Sequence, residues 1–453
     1  MELQKTYIFR NPSTCMDFSL IPVLRDDIHV SQVKTPEGRK IVVYISSKGT
    51  KITPNDATVQ LLLFCDGMHT LAEIVSHFVK AANEERSTIE EDVEKIVERL
   101  EAREVIELCD TFNPRAILPE VELIHPLESI VLEITDACNL KCIHCYNDSG
   151  NKRRNELTLE EIYKLIDEAK RIGVLRVNVS GGEPLMHPYF FEIAEYIRDC
   201  TLGLELFTNG TLVTRDCARK LKDLNILKVS LSLDSLNHKI HDSFRGKKGA
   251  WEKTMAGIQN LKLMGVRIEP AVSLSQRNMK EVIPLCEFFF KEGFTTYRFM
   301  AVIATGRETP LEIGITPADL EEAYKKILVW QKNHGIQYDS LGEIKGMNCG
   351  IGSELLVIKS DGDVAPCSPF GRRIILGNTR DQSLHTIWND SPLLNVLRNL
   401  DARNHPVCST CRLLNFCRGG CIANVYTARG ELQMHDPFSC AYRRAQEYVE
   451  ETT

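Results

Sequence analysis

Residues 131–146 read VLEITDACNLKCIHCY: an apolar run that breaks abruptly into a loop bearing Cys138, Cys142 and Cys145. Five apolar and β-branched positions bounded by a polar loop read as a short buried strand. A second unit of the same kind follows at 175–184, LRVNVSGGEP, where the apolar run ends in Ser180, Gly181, Gly182, Glu183 and Pro184. Further strand-like runs stand at 204–210 (LELFTNG), 229–235 (VSLSLDS), 267–275 (RIEPAVSLS) and 296–303 (TYRFMAVI). Between them helical periodicity appears near 158–172, 189–199, 213–222, 250–264 and 279–291. Strands alternating with crossover helices imply a parallel sheet, and six such repeats predict an α/β partial (β/α)6 barrel rather than a closed eight-stranded one. In these folds the loops at the carboxyl ends of the strands carry the chemistry, which is where the cysteine loop and SGGEP fall.

The rest of the composition narrows the possibilities. The chain has 453 residues, 43% of them hydrophobic, enough for several packed domains. Its 55 basic and 62 acidic residues leave a net charge of −7, which argues against nucleic acid as a partner. No apolar run approaches the length of a membrane span, and the amino terminus MELQKTYIFRNP lacks the apolar stretch of a signal peptide. A cytoplasmic location is therefore expected, where sixteen cysteines point to metal or redox chemistry before disulfides.

Three close thiolates suit a soft metal or an iron–sulfur cluster, and three rather than four leave one iron of a cubane open to a ligand. A zinc site completed by His144, or plain buried thiols, are the alternatives. In SGGEP the glycines permit close approach of a ligand to the backbone, and Glu183 offers a carboxylate to an ammonium group. A second series follows near the carboxyl end: Cys349, Cys367, Cys408, Cys411, Cys417, Cys421 and Cys440. Paired CxxC-like elements commonly bind zinc, yet seven cysteines do not divide into sites of four. Cys15, Cys65, Cys109, Cys200, Cys217 and Cys286 have no motif spacing and are expected to be packed thiols.

Upstream of the barrel, two extended segments, LIPVLRDDIHVSQV (20–33) and RKIVVYIS (39–46), flank the turn TPEG at 35–38. Three helical patterns follow: one near 56–65, one opening with the capping pair Thr70 and Glu73, and one opening with Ser87 and Glu90. VIEL at 105–108 reads as a closing strand, and Pro114 and Pro119 mark a linker. An exposed edge strand near 41–46, walled by the third helix, would accept a peptide by strand addition. DNA binding as a winged helix is the alternative, disfavoured by the many glutamates of that helix.

With both motifs in order, CxxxCxxC after the first strand and GGEP after the second, residues 129–305 resemble the radical S-adenosylmethionine superfamily. That resemblance implies a [4Fe–4S] cluster on Cys138, Cys142 and Cys145, with S-adenosylmethionine chelating the open iron. It implies His144 near the adenine, and Gly181, Gly182 and Glu183 at the methionyl amino group. Asn209, Ser232, Asp234 and Ser273 fall at later strand ends, where the family contacts ribose and carboxylate; Arg245 in HDSFRG (241–246) reads as structural. The later spacing, Cys349-x12-Gly362-x4-Cys367 and then Cys408-x2-Cys411-x5-Cys417-x3-Cys421 with Cys440, resembles the SPASM extension. It implies two auxiliary clusters, the first on Cys349, Cys367 and Cys421 and incompletely ligated by thiolate, the second on Cys408, Cys411, Cys417 and Cys440. The amino-terminal module resembles the RiPP recognition element, a winged-helix-like α+β domain that binds leader peptides.

The expected organisation is a peptide-binding domain over 1–110, a linker over 111–128, the radical SAM partial barrel over 129–310, a bridging helical region over 311–345 and the Cys-rich SPASM domain over 346–453. The expected activity is oxidative modification, with cross-linking foremost, of a ribosomally made precursor peptide through a 5′-deoxyadenosyl radical. Three [4Fe–4S] clusters, S-adenosylmethionine, a precursor peptide and an external electron donor such as flavodoxin or ferredoxin are the implied cofactors and partners. The alternative keeps the radical chemistry and replaces the peptide by a small cofactor precursor such as a tetrapyrrole.

Overall fold

The computed structural model describes residues 16–302, 314–336 and 350–452. The chain forms two compact units, one up to Glu122 and one from Leu123 onward.

The first unit begins with β1 (Ile21–Leu24), β2 (Ile28–Thr35), β3 (Gly38–Ile45) and β4 (Thr50–Ile52). The turn signal at 35–38 closes a tight hairpin in which Thr35 faces Gly38. Three helices follow: α1 (Asp56–Leu62), α2 (Leu71–Ala82) and α3 (Arg86–Ala102). Thr70 and Glu73 form the reciprocal capping box expected of α2. The start of α3 departs from expectation. Glu85 is its N-cap, without a side-chain hydrogen bond, so Ser87 lies inside the first turn; Glu90 instead pairs with Arg86 one turn back, at 2.7 Å. The strand β5 (Ile106–Cys109) pairs antiparallel with β1, apart from the main sheet.

The order of that sheet is β4-β3-β2-β6, where β6 is Val121–Glu122, within the stretch expected to be linker. The segment 41–46 is therefore not a free edge. β3 pairs with β2 along its whole length and with β4 over Val43–Ile45, and Ile41–Ile45 are all buried. Among the described residues the outer strand on that side is β4, whose Thr50 and Lys51 are exposed. Three residues beside Gly49 are too short and polar to stand out as a strand, which is why the edge was expected one strand further in. Ile52 and α3 share one core with Val43, Val93 and Val97, and Lys48 pairs with Glu104 just beyond the helix.

In the second unit all six expected strands form, as β7 (Ser129–Glu133), β8 (Arg176–Ser180), β9 (Gly203–Thr208), β10 (Lys228–Ser232), β11 (Ile268–Leu274) and β12 (Arg298–Ala301). They pair in sequence order and in parallel. The crossover helices are α4 (Leu159–Arg171), α5 (Phe190–Asp199), α6 (Arg215–Asp223), then α7 (His238–Arg245) with α8 (Ala250–Leu263), and α9 (Val282–Lys291). Helix α7 has no counterpart in the sequence pattern. Asn237 caps its start and Gly246, in the left-handed region at φ 63°, its end, signals that a cap-first reading would have caught.

The sheet does not stop at β7. The first strand of a partial barrel would leave a bare edge; instead β13 (Leu355–Ile358) pairs with it in parallel, and β14 (Asp363–Ala365) and β15 (Gly377–Asn378) continue antiparallel. The cysteine-rich region thus contributes three strands to one nine-stranded sheet. The helix α10 (Pro317–Asn333) packs on the final helix, Pro437–Thr452, where Arg444 pairs with Glu321 at 2.6 Å and the rings of Tyr324 and Tyr442 lie 5.0 Å apart. No described helix is long and apolar enough to cross a membrane.

Candidate active site

The loop bearing Cys138, Cys142 and Cys145 leaves the carboxyl end of β7 and is gripped from two sides. On one side, Gly182 N–H donates to Thr135 O at 2.7 Å and Glu183 N–H to Ala137 O at 2.8 Å. A Cβ on Gly181 would stand 2.3 Å from Thr135 O, and one on Gly182 2.4 Å from Ala137 O. Glycine is required here because two backbones pass at touching distance, a different reason from the ligand approach expected of the motif. On the other side, the last carbonyls of α7 have no partners within their own helix. Phe244 O and Arg245 O accept from Ile143 N–H at 3.0 Å and Lys141 N–H at 3.1 Å. Gly246 follows, where a Cβ would meet Lys141 O at 2.2 Å.

Burial pushes the Cys138 thiol up to about 11 and raises that of Cys142, and the neighbouring Cys145 adds to both. Arg245 works in the opposite direction, with Nη1 3.8 Å from Cys142 Sγ. Ser149 N–H donates to Cys145 Sγ at 3.4 Å. Thiols that hold their protons in isolation and share one pocket release them when metal binds. Among the described residues no three Cys, His, Asp or Glu side chains close on one point as a single ion requires. Thiolates of a cubane stand further apart, each on its own iron.

The His144 ring packs against Phe244, centroids 5.3 Å apart, and its Nδ1 is buried with no hydrogen-bond partner. Burial, aided by Arg245 and His241, pushes this imidazole down to about 4, so it is neutral at physiological pH. A neutral ring with an orphaned nitrogen suits the edge of a flat heterocycle.

Other expected contacts are occupied by one another. Glu183 is fully buried, accepting from Thr208 Oγ1 at 2.7 Å, Asn209 N–H at 2.8 Å and Leu185 N–H at 3.2 Å. Its carboxylate ties the ends of β8 and β9 together, and burial raises it to about 7. Asn209 Nδ2 donates to Asn139 Oδ1 in the cysteine loop at 2.9 Å. Asp234 accepts from Ser273 N–H at 3.0 Å and pairs with Arg245 at 2.7 Å. Ser232 is half-buried at the end of β10. Arg245, read from sequence as structural, thus bridges Asp234 and Cys142 inside the site. Deeper along the strands, Arg298 Nη2 donates to Ser230 Oγ at 2.5 Å, its Nε is 2.9 Å from Glu269, and its guanidinium lies 5.4 Å from the centre of the Phe207 ring. These side chains lie on alternate positions of β9 to β12 and give that wall a polar character.

The later cysteines sit on short turns. Cys440, on the final helix, donates to Cys417, which holds the Cys417 thiol down at about 7 and drives Cys440 up; Cys408 feels both Cys417 and Cys411. These four residues therefore share one locality, with Cys411 exposed. Cys367 is buried just before the turn Ser368–Phe370, and Cys421 caps the helix Ile422–Arg429. The rings of Phe370 and Tyr426, 5.5 Å apart, join that turn to that helix. Asp436 Oδ2 accepts from Cys421 N–H at 3.4 Å and from Ser439 next to Cys440. Cys349 lies outside the described residues, as does Cys15. Of the remaining unmotived cysteines, Cys65, Cys200, Cys217 and Cys286 are buried and Cys109 half-buried.

Comparisons with known proteins converge on this arrangement. Family models match for the radical SAM superfamily at residues 132–288, an iron-sulfur cluster-binding domain (SPASM) at 349–412, and coenzyme PQQ synthesis protein D (PqqD) at 40–106. The AdoMet-dependent heme synthase of Methanosarcina barkeri is 32% identical over 345 residues, 69% of this chain and 96% of its own. The subtilosin biosynthesis protein AlbA of Bacillus subtilis is 27% identical over 420 residues, 89% of this chain and 92% of its own. Among solved structures, SuiB of Streptococcus suis bound to the precursor peptide SuiA shares the fold, with a TM-score of 0.67 at 17% identity, over 92% of this chain and 99% of its own. A radical SAM enzyme of this kind works with S-adenosylmethionine, a [4Fe–4S] cluster and auxiliary iron–sulfur clusters. Gripped cysteine loop, GGEP turn, six-stranded partial barrel and carboxyl-terminal cysteines together place this chain in the radical SAM superfamily, as a SPASM-bearing oxidoreductase with a PqqD-type amino-terminal unit.

Proposed function

We propose that the chain is a maturase that oxidatively modifies, by cross-linking, a ribosomally made precursor peptide. The observation that carries this reading is the extent of the likenesses. The match to the heme synthase covers 69% of the chain, whereas the match to the bacteriocin biosynthesis protein covers 89%, and residues 40–106 match PqqD. An enzyme acting on a small molecule alone has no evident use for such a unit. In this reading the leader adds a strand at the edge formed by Thr50–Ile52, with α3 as the neighbouring wall, while the core segment enters the barrel. Holding the leader at one site raises the effective concentration of the core at the other.

The cofactors supply a 5′-deoxyadenosyl radical; the side chains of the barrel decide what it meets. Cys138, Cys142 and Cys145 would hold the cluster, and the neutral His144 ring, with its buried and unpartnered Nδ1, would meet the adenine. Gly181 and Gly182 would meet the methionyl group, with Glu183 keeping the ends of β8 and β9 in place. Asn209, Ser232, Asp234 and Ser273 would complete the wall toward ribose and carboxylate. Arg245 places a fixed positive charge beside Cys142 and within reach of an anionic ligand group. Cys349, Cys367 and Cys421 hold one auxiliary cluster and Cys408, Cys411, Cys417 and Cys440 the other, and an external donor such as ferredoxin or flavodoxin delivers electrons.

The test is turnover by the full chain, with its clusters reconstituted, on short peptides encoded beside its gene, with S-adenosylmethionine and dithionite. Loss of two hydrogens per bond formed, dependent on the leader, supports the maturase. Turnover of an iron porphyrin precursor, with no peptide bound or changed, sinks it in favour of the small-molecule alternative.

A further inference from the structure

We propose that Lys359 is a positioning residue for the radical SAM cluster: a cation of the cysteine-rich region that fixes, from behind, the segment following Cys145. The inference rests on the family chemistry of the site and is independent of the peptide reading. The pairing of Ile358 with Leu132 brings Lys359 beside Glu133 across the seam between β13 and β7. Lys359 Nζ donates to Glu133 Oε1 at 2.9 Å and to Asn147 Oδ1 at 3.2 Å, and Asn147 Nδ2 closes the triangle to Glu133 Oε2 at 2.7 Å. The same ammonium lies 5.7 Å from the centre of the Tyr146 ring. Tyr146 and Asn147 follow directly on Cys145, so the ammonium holds the chain where the third thiolate is presented.

Both charged side chains are 0% exposed. Such a pair is a poor source of stability, because removing both ions from water offsets their attraction, and apolar residues would join two strands as well. What a dry, three-membered polar triangle does provide is a single orientation. A second cation from the same region brackets the other end of the loop. Arg372 lies 3.4 Å from Asp136, two residues before Cys138, while Asp361 and Asp363 hold it at 2.9 and 3.0 Å. The cysteine-rich region therefore touches the radical SAM loop before its first cysteine and after its last. Neither cation bonds a thiol; each fixes a residue two positions from one, and outer partners of a metal site govern how its ligands are oriented.

The experiment uses the full chain, reconstituted anaerobically, with Lys359→Met compared to wild type and to Lys262→Met, which removes an exposed cation paired with Glu292. For Lys359→Met the expected result is retained iron content and auxiliary-cluster signals. The change that S-adenosylmethionine induces in the electron paramagnetic resonance spectrum of the reduced cluster should be lost or shifted. Formation of 5′-deoxyadenosine should fall about 10–100-fold. Lys262→Met should match wild type in both. A folded Lys359→Met protein with wild-type spectrum and rate overturns the proposal. Should the single variant fail to fold because Glu133 is stranded, the double variant Lys359→Met/Glu133→Gln removes the unpaired charge and is read the same way. Wild-type behaviour of the double variant, or its failure to fold, makes the pair a strut and ends the positioning role.

Discussion

The two cysteine-bearing regions of the catalytic unit are built on opposite plans. The loop of Cys138 to Cys145 is held by the framework: glycines of β8 on one flank, helix carbonyls of α7 on the other, and Lys359 behind. Cys408 to Cys440 stand instead on helical turns as short as Pro406–Ser409 and Leu414–Cys417, where the Cys440 thiol donates to Cys417 and Asp436 gathers Cys421 and Ser439. A site fixed by its scaffold can lose its metal and keep its shape. A site fixed by its ligands depends on metal to fold.

The contrast can be broken first at Cys142. With Cys142 as a proposed cluster ligand, Cys142→Ala should abolish reductive cleavage of S-adenosylmethionine, read as 5′-deoxyadenosine by mass spectrometry. Cleavage at wild-type rate would show that the framework loop is not the radical site. Stripping iron with a chelator should next separate the two plans by hydrogen exchange. Amides over 408–440 should lose protection by orders of magnitude while β7 to β11 keep theirs; equal loss in both regions would erase the distinction. If the second auxiliary cluster sits on Cys411 and carries the product electron, Cys411→Ala should spare cleavage while product on a bound substrate disappears. Normal product yield would make the second auxiliary cluster dispensable.

The smallest effect concerns Glu183. Its carboxyl is raised to about 7 in the folded chain by burial, against an ordinary value near 4.5. The folded state therefore binds more protons than the unfolded state between those values, so this group's contribution to stability is present at low pH and declines as pH rises through that window. Glu183→Gln should flatten the dependence of apo-protein unfolding between about pH 4.5 and 7 by about 2 kcal/mol, measured by urea titration at several pH values. An unchanged pH profile would mean that the carboxylate is better solvated than its setting implies.

Much of this was legible from residues near one another in the chain. The strands β7 to β12 announced themselves as apolar runs, because a parallel sheet covered on both faces needs continuous hydrophobic strands. The cysteine spacings stood out for the same local reason. Other features hid where the signal is weak or distant. Helix α7 is only eight residues long and polar on most sides. Thr50–Ile52 is too short to read as a strand, so the sequence pattern points to its buried neighbour as the edge of the first sheet. Ser87 offers a capping pattern that the Arg86–Glu90 pair displaces.

The sequence alone determined the chemistry, since the spacing of Cys138, Cys142 and Cys145 and the glycines after β8 are constraints of a few consecutive residues. Only the tertiary structure decided how that chemistry is held. β13 joins β7, Arg245 reaches Cys142, and Lys359 meets Glu133 across 226 positions of chain. A buried lysine and a buried glutamate so far apart carry no mark of each other until the sheet sets them side by side. Their pairing is a consequence of strand register, which is settled by packing over the whole unit rather than by any single segment.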